Sequence, residues 1–263
     1  MKNFEELKEK FGENKKASVL VYIVLRTLVI FSMVRQILRG DLNNAFLCIL
    51  SLFLFTMPAF LQEKFKIKLP NALEIIIYLF IYAAEILGER HNFYGYFPAW
   101  DSILHTINGF LCAGIGFSLV DLLNENSKKI NLSPLYVAIV AFCFSMTIGV
   151  LWEFFEYSGD KIVMTDMQKD TLVRSVSTVY LEENNKNKAV ILKNIGKTII
   201  YDKENNIIAE IENGYLDIGL NDTIKDLMVN LVGATTFSVI GFFYIKNREK
   251  YKFVSNFMFT KEK

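Results

Sequence analysis

Little in this 263-residue sequence belongs to a soluble domain, and its absences narrow the reading first. Charge of either sign is missing as a bulk property: 29 lysines and arginines against 28 aspartates and glutamates leave a formal +1, so no basic field is present to gather nucleic acid. Cysteine is scarce and unpatterned. Cys48, Cys112 and Cys143 stand singly inside apolar runs, without the spacing of a disulfide framework or a zinc site, and read as core thiols. With two histidines, His91 and His105, the chain has neither the His-Glu-x-x-His helix of zinc proteases nor the paired Glu-x-x-His of di-iron bundles. No known nucleophile motif, internal repeat or low-complexity tract stands out. The charged start, Met1 to Lys16, runs into an apolar stretch too long for a signal-peptide core and without a small-x-small cleavage site, so no cleavage is expected.

What the chain does have is apolar residues in long unbroken runs: 52% of it is hydrophobic, with 23 phenylalanines. Six runs reach the roughly 20 residues needed to cross the hydrocarbon layer, near 17–38, 43–61, 72–88, 99–123, 133–157 and 222–245. The expected fold class is therefore an all-α polytopic membrane protein, a six-helix transmembrane bundle. Arg26 and Arg35 in the first run read as snorkelling or interhelical partners. Pro58 lies near the end of the second run, and Pro70-Asn71 opens the third. Lysine and arginine concentrate before the first run, between the second and third (Lys64, Lys66, Lys68), between the fourth and fifth (Lys128, Lys129), and after the sixth, whereas the other short loops hold one each, Arg39 and Arg90. The positive-inside rule then places both termini, 1–16 and the basic tail 246–263, in the cytoplasm, with the cell membrane as the location and the 158–221 loop outside.

That loop is the one soluble piece. Alternation over 188–201 and again over 207–212, with a polar stretch between, predicts a β-hairpin; 166–174 is either a short helix capped by Asp166 or Asp170 or irregular. The loop is too small for a large core of its own and is expected to rest on the membrane domain over the mouth of the site.

Polar residues intrude on the apolar runs in a pattern. Asp222, Asp226 and Asn230 recur every fourth residue; Asp101, His105 and Asn108 fall at i, i+4 and i+7; Glu153 and Glu156 at i and i+3; and Glu85 stands alone. Under the expected topology all lie toward the outer side, where independent snorkelling residues would scatter over both surfaces. Polar groups at that depth are costly unless they face protein, water or an ion. Gly109 with Ala113, and Ala234 with Ser238, are small-x-x-x-small pairs that allow close helix approach. Asp101 and Asp222 also sit where helix N-caps are expected, and His105 reads equally as a hydrogen-bonded core residue or a ligand. Glu153 with Glu156 has no capping role. The candidate site is thus Asp101, His105, Glu153, Glu156, Asp222, Asp226 and Asn230, with His105, Glu153, Glu156 and Asp226 as the set for a divalent ion such as Mg²⁺, Mn²⁺ or Zn²⁺. His91, among the aromatics of 92–100, reads as part of an interfacial anchor.

Asp101-Ser-Ile-Leu-His105, Trp152-Glu153-Phe-Phe-Glu156 and Asp226-Leu-Met-Val-Asn230-Leu-Val-Gly233 resemble the Asp-x-x-x-His, Glu-x-x-Gln and Asp-x-x-x-Asn-x-x-Gly signatures of VanZ-like membrane proteins. With Leu87-Gly88-Glu89, Asn92-Phe93-Tyr94 and His105-Thr-Ile-Asn-Gly-Phe110 added, the chain is similar to the YjdF-like bacterial membrane proteins over its third to sixth runs. It departs from the VanZ-like pattern at Glu156, where a Gln is expected, and in the β-rich loop. The resemblance implies a bacterial cell envelope and supplies no reaction. Three functions fit the residues: a metal-assisted enzyme on a lipid or lipid-linked substrate, a proton-coupled carrier or flippase, and a structural or regulatory membrane component.

Overall fold

The computed structural model describes residues 15–126, 132–183 and 186–261. Most of the charged N-terminal segment, and Lys128 with Lys129, lie outside the described residues. Among those described, six helical segments are long and apolar enough to cross a membrane: Ala17–Arg39, Leu42–Phe65, Asn71–Gly88, Trp100–Asn124, Pro134–Val163 and Leu220–Lys246. The protein is a mostly helical membrane protein with a small β-containing segment between its fifth and sixth spans. The chain divides into two compact units, 1–151 with 226–263, and 152–225.

In the larger unit, helix α1 (Lys15–Arg39) stops at Gly40, whose φ of +74° suits a residue without Cβ. Asp41 then caps α2 (Leu42–Leu54), its carboxylate accepting the Asn44 N–H at 3.1 Å. The second span is not one rod. It breaks at Phe55-Thr56 and resumes as α3 (Met57–Phe65), so Pro58 lies in a helical first turn, where its missing N–H costs nothing, rather than near a helix end. Phe55 is buried at the break against the rings of Tyr22 and Tyr78. Strand β1 (Ile67–Lys68) follows, and Pro70 precedes α4 (Asn71–Ile81) as its sequence position predicts.

The third span then changes pitch. Tyr82–Arg90 is π-helical, a wide coil that in short pieces often marks functional sites. Neighbouring side chains hold the carbonyls of this turn: Trp100 Nε1 donates to Ala83 O at 3.3 Å and the Tyr94 hydroxyl to Ala84 O at 3.5 Å. Gly88 leaves room there for the Tyr94 ring, which a Cβ would meet at 2.5 Å. A short helix, α5 (Phe93–Tyr96), leads to α6 (Trp100–Asn126), and α7 (Pro134–Ser158) ends in a further π-helical turn, Gly159–Val163. Helix α8 is Leu220–Lys246.

The chain after α8 is more than a basic tail. A 3₁₀ turn (Lys252–Phe257) buries Val254, Met258 and Phe259, and Phe257 packs edge-on against Phe110 and Phe237. Phe259 donates its N–H to Ser118 Oγ, and β8 (Thr260–Lys261) pairs antiparallel with β1. Arg248 holds the buried Asp121 through both carboxylate oxygens, at 2.8 and 3.0 Å.

In the smaller unit, Asp160 gathers the Thr165 hydroxyl and the N–H groups of Met167 and Gln168 at 2.6–2.9 Å, and the chain from 164 to 171 is irregular, not helical. Strands β2 (Leu172–Val173) and β7 (Tyr215–Leu216) pair, as do β3 (Ser175–Thr178) with β4 (Val190–Lys193), and β5 (Lys197–Tyr201) with β6 (Ile207–Glu212). The 188–212 hairpin is thus half of what forms. Asn194 at φ +56° breaks the first expected strand, and its front part, β4, pairs backwards with β3 in a stretch that alternation did not single out. Asp202 turns the real hairpin by accepting the N–H groups of Glu204 and Asn206.

Candidate functional site

The site begins with two glycines. A Cβ at Gly109 of α6 would stand 2.1 Å from Asn230 O of α8, and one at Gly233 of α8 would stand 2.0 Å from Thr106 O of α6. These helices therefore touch backbone to backbone, as small residues allow inside membranes. At that distance the polar stripes of the two helices face each other.

The result is a three-residue group. His105 Nε2 lies 3.5 Å from Asp101 Oδ1 and 3.6 Å from Asp226 Oδ2. One ligand atom from each of Asp101, His105 and Asp226 falls within 4.8 Å of the other two. Asp226 is 1% exposed, whereas the side chains of His105 and Asp101 are 13% and 19% exposed, so the group has a closed floor and a partly open side. One turn deeper, Asn108 Nδ2 donates to Asn230 Oδ1 at 3.3 Å, Cys112 Sγ donates to Asn108 Oδ1 at 3.5 Å, and Asn230 Nδ2 reaches Met146 Sδ at 3.5 Å. Helix α7 makes room for that amide: a Cβ at Gly149 would lie 2.7 Å from Asn230 Nδ2. Ser145, a turn before it, donates its hydroxyl to Gly109 O at 2.7 Å. Met146 and the small pair Ser145-x-x-x-Gly149 were not among the sequence candidates. The pair carries the same small-x-x-x-small signal as Gly109 with Ala113.

The remaining sequence candidates fall as follows. Asp101 is the second residue of α6, inside its first turn and not at the cap; its charge there is favoured by the helix dipole. Asp222 is likewise the third residue of α8, and its carboxylate accepts the Lys169 N–H at 2.8 Å within the smaller unit. Glu153 and Glu156 are buried, and Glu156 Oε1 accepts from Trp152 Nε1 at 2.8 Å. They belong to the smaller unit and are not members of the three-residue group. Glu85, 3% exposed, lies in the π-helical turn of the third span. His91 lies at 3.1 Å from Arg90 Nη1; burial, then the Arg90 and Arg35 cations, hold its imidazole below the usual histidine range. The rings of Phe93, Phe97 and Trp100 cluster beside it at 5.1–6.3 Å.

The donor set fits a divalent cation. Two ligands on one ion with ~2.0–2.2 Å bonds are at most about 4.4 Å apart. The 3.5 and 3.6 Å separations from His105 lie inside that limit. The two carboxylates would neutralise the ion's charge, and the imidazole suits a borderline metal.

A polytopic membrane protein with a paired-helix Asp/His cluster is the class that fold and site define. Residues 17–247 match the family model described as predicted membrane protein (DUF2238), and the chain belongs to that family. It is also 27% identical, over 158 residues, to an uncharacterized protein of Thermotoga maritima, covering 59% of this chain and 76% of the relative. No solved structure matches it.

Proposed function

We propose that the protein is a cell-envelope membrane protein whose Asp101, His105 and Asp226 hold a divalent cation for chemistry on a lipid or lipid-linked substrate. The observation that carries this is the placement of His105 Nε2 between two carboxylates at 3.5 and 3.6 Å, with Asp226 withdrawn from solvent inside a membrane span. In this reading Asp226 and His105 anchor the ion from opposite helices, and Asp101 closes the set on its more exposed side. Asn230 and Asn108 fix the register of α8 against α6 from below. A cation so held supplies Lewis-acid polarisation of a phosphoryl oxygen, or a more acidic water. The lysine pattern supports cytoplasmic termini and an extracytoplasmic 158–221 insert, and the likeness to YjdF-like and VanZ-like sequences supports a cell-envelope setting.

The experiment is metal analysis of the purified protein after loading with Zn²⁺, Mn²⁺ or Mg²⁺. About one equivalent is expected, with affinity falling at least about tenfold in Asp226→Asn and His105→Ala. Glu153→Gln and Glu156→Gln ask in the same assay whether the acids of the fifth span contribute. No bound metal under any loading condition would refute the proposal. The second reading, a proton-coupled carrier, draws on the same imidazole shared by two carboxylates; it predicts proton uptake with substrate movement in metal-free vesicles, abolished by His105→Ala.

A further inference from the structure

The fifth and sixth spans leave a groove between them, whose α8 side begins at Thr235, nine residues beyond Asp226. Ala138 of α7 and Ser238 of α8, 7% and 6% exposed, form its floor; Ile139, Phe142, Val239 and Phe242 are its walls. Small residues on the floor and large ones one and four positions further along each helix make the hollow. Its lining is almost wholly apolar, and Ile139 and Val239 are half exposed. On a spanning segment, such a face meets lipid.

The charge at its end selects the occupant. From Thr235 to Phe243 the groove runs about 12 Å at ~1.5 Å per residue, as an open apolar furrow along which a single acyl chain can lie. Beyond Phe242 by one turn, exposed Lys246 sets its ammonium 4.3 Å from the Phe242 ring centre, so a cation stands at the end of the groove nearest the membrane boundary.

We infer that this groove holds one acyl chain of an anionic phospholipid whose headgroup is met by Lys246. The inference is independent of any metal at Asp101, His105 and Asp226. Lipid retention on the delipidated full chain, measured by native mass spectrometry in detergent with equimolar phosphatidylglycerol and phosphatidylcholine of the same chains, tests it. Phosphatidylglycerol should be retained about fivefold over phosphatidylcholine, the preference expected from one lysine at a charged surface. Lys246→Gln should equalise the two. Ala138→Leu should displace both, and Thr235→Trp, on the exposed rim where folding is not at stake, should do the same. Equal retention of the two lipids by the unaltered chain, or retention unchanged in both groove variants, overturns the inference. A dimer weakened by Ser238→Ala also overturns it, assigning the face to a second copy whose helix accepts from the Ser238 hydroxyl, which makes no hydrogen bond among the described residues.

Discussion

Gly233→Ala is the sharpest probe of the paired-helix site, because it adds one methyl group to a surface that never touches the cluster. The new Cβ would stand 2.0 Å from Thr106 O, and ordinary contact starts at 3.4 Å. Close-packed backbone cannot yield as a side-chain end can, so α6 and α8 must part by about 1.4 Å. Carried along the helix as a rigid shift, this moves Asp226 Oδ2 from 3.6 Å to about 5 Å from His105 Nε2. That exceeds the roughly 4.4 Å that two ligands on one ion can span. Overpacking of this kind costs about 1–3 kcal/mol, enough to lower a melting midpoint in detergent without abolishing the fold. Metal affinity should therefore fall at least about tenfold while the protein still melts cooperatively. Gly109→Ala, which meets Asn230 O at 2.1 Å, should behave the same way, and Gly196→Ala, with nothing within 4 Å, should be neutral. Unchanged metal affinity in Gly233→Ala, in a protein with a native melting profile, would refute the idea that helix spacing sets the site.

Three other expectations follow from separate contacts. Arg248→Gln removes the cation held at 2.8 Å by Asp121, which is 2% exposed; since Arg248 itself is 39% exposed, solvent screening limits the loss to about 1–3 kcal/mol, and a thermal-melt cycle with Asp121→Asn should show coupling of that sign. Burial alone would raise Asp217, but N–H donation from Thr171 and Asn221 outweighs it and holds the carboxyl below its ordinary 3.8. Its contribution is complete above 3.8 and is lost as pH falls through the lower folded value, so hydrogen exchange at 215–221 should quicken relative to intrinsic rates as pH falls below 3.8, and Asp217→Asn should flatten that dependence; equal slopes would count against it. Reporter fusions at Lys128 and at residue 190 should report opposite compartments, and the same compartment for both would remove the topology from which cytoplasmic termini are argued.

How much of this was legible in the sequence depends on how local the signal is. Span length is a property of consecutive residues, and all six expected spans match helical segments, the second and fifth running four and six residues further than expected, to Phe65 and Val163. The i, i+4, i+7 spacing of Asp101, His105 and Asn108 is also local, so their shared face could be read directly. Which face meets which is not local. The pairing of the α6 and α8 stripes depends on Gly109 and Gly233 meeting carbonyls of the opposite helix, and small residues recur too widely in apolar runs to announce that. The same limit explains β4: alternation gives Val190–Lys193 its strand character, but its partner, Ser175–Thr178, is short and polar enough to pass as loop.

The π-helical turn at Tyr82–Arg90 shows a further kind of illegibility. Its sequence, with Ala83, Ala84 and Leu87, suits an α-helix, and no residue in it requires the wider pitch. The contacts that accompany it come from outside the turn: the Trp100 indole N–H and the Tyr94 hydroxyl donate to the carbonyls of Ala83 and Ala84. The same Trp100 opens the helix that carries Asp101 and His105. The start of α6 is thus tied by a side chain to the turn that buries Glu85, so the first turn of the helix that carries Asp101 and the irregular end of the third span are one piece of packing. Trp100→Phe keeps the ring contacts and removes only the donor, and should return this turn toward α-helical pitch. A shift of Glu85 and His105 signals together in NMR spectra would bear out that coupling; movement of neither would refute it.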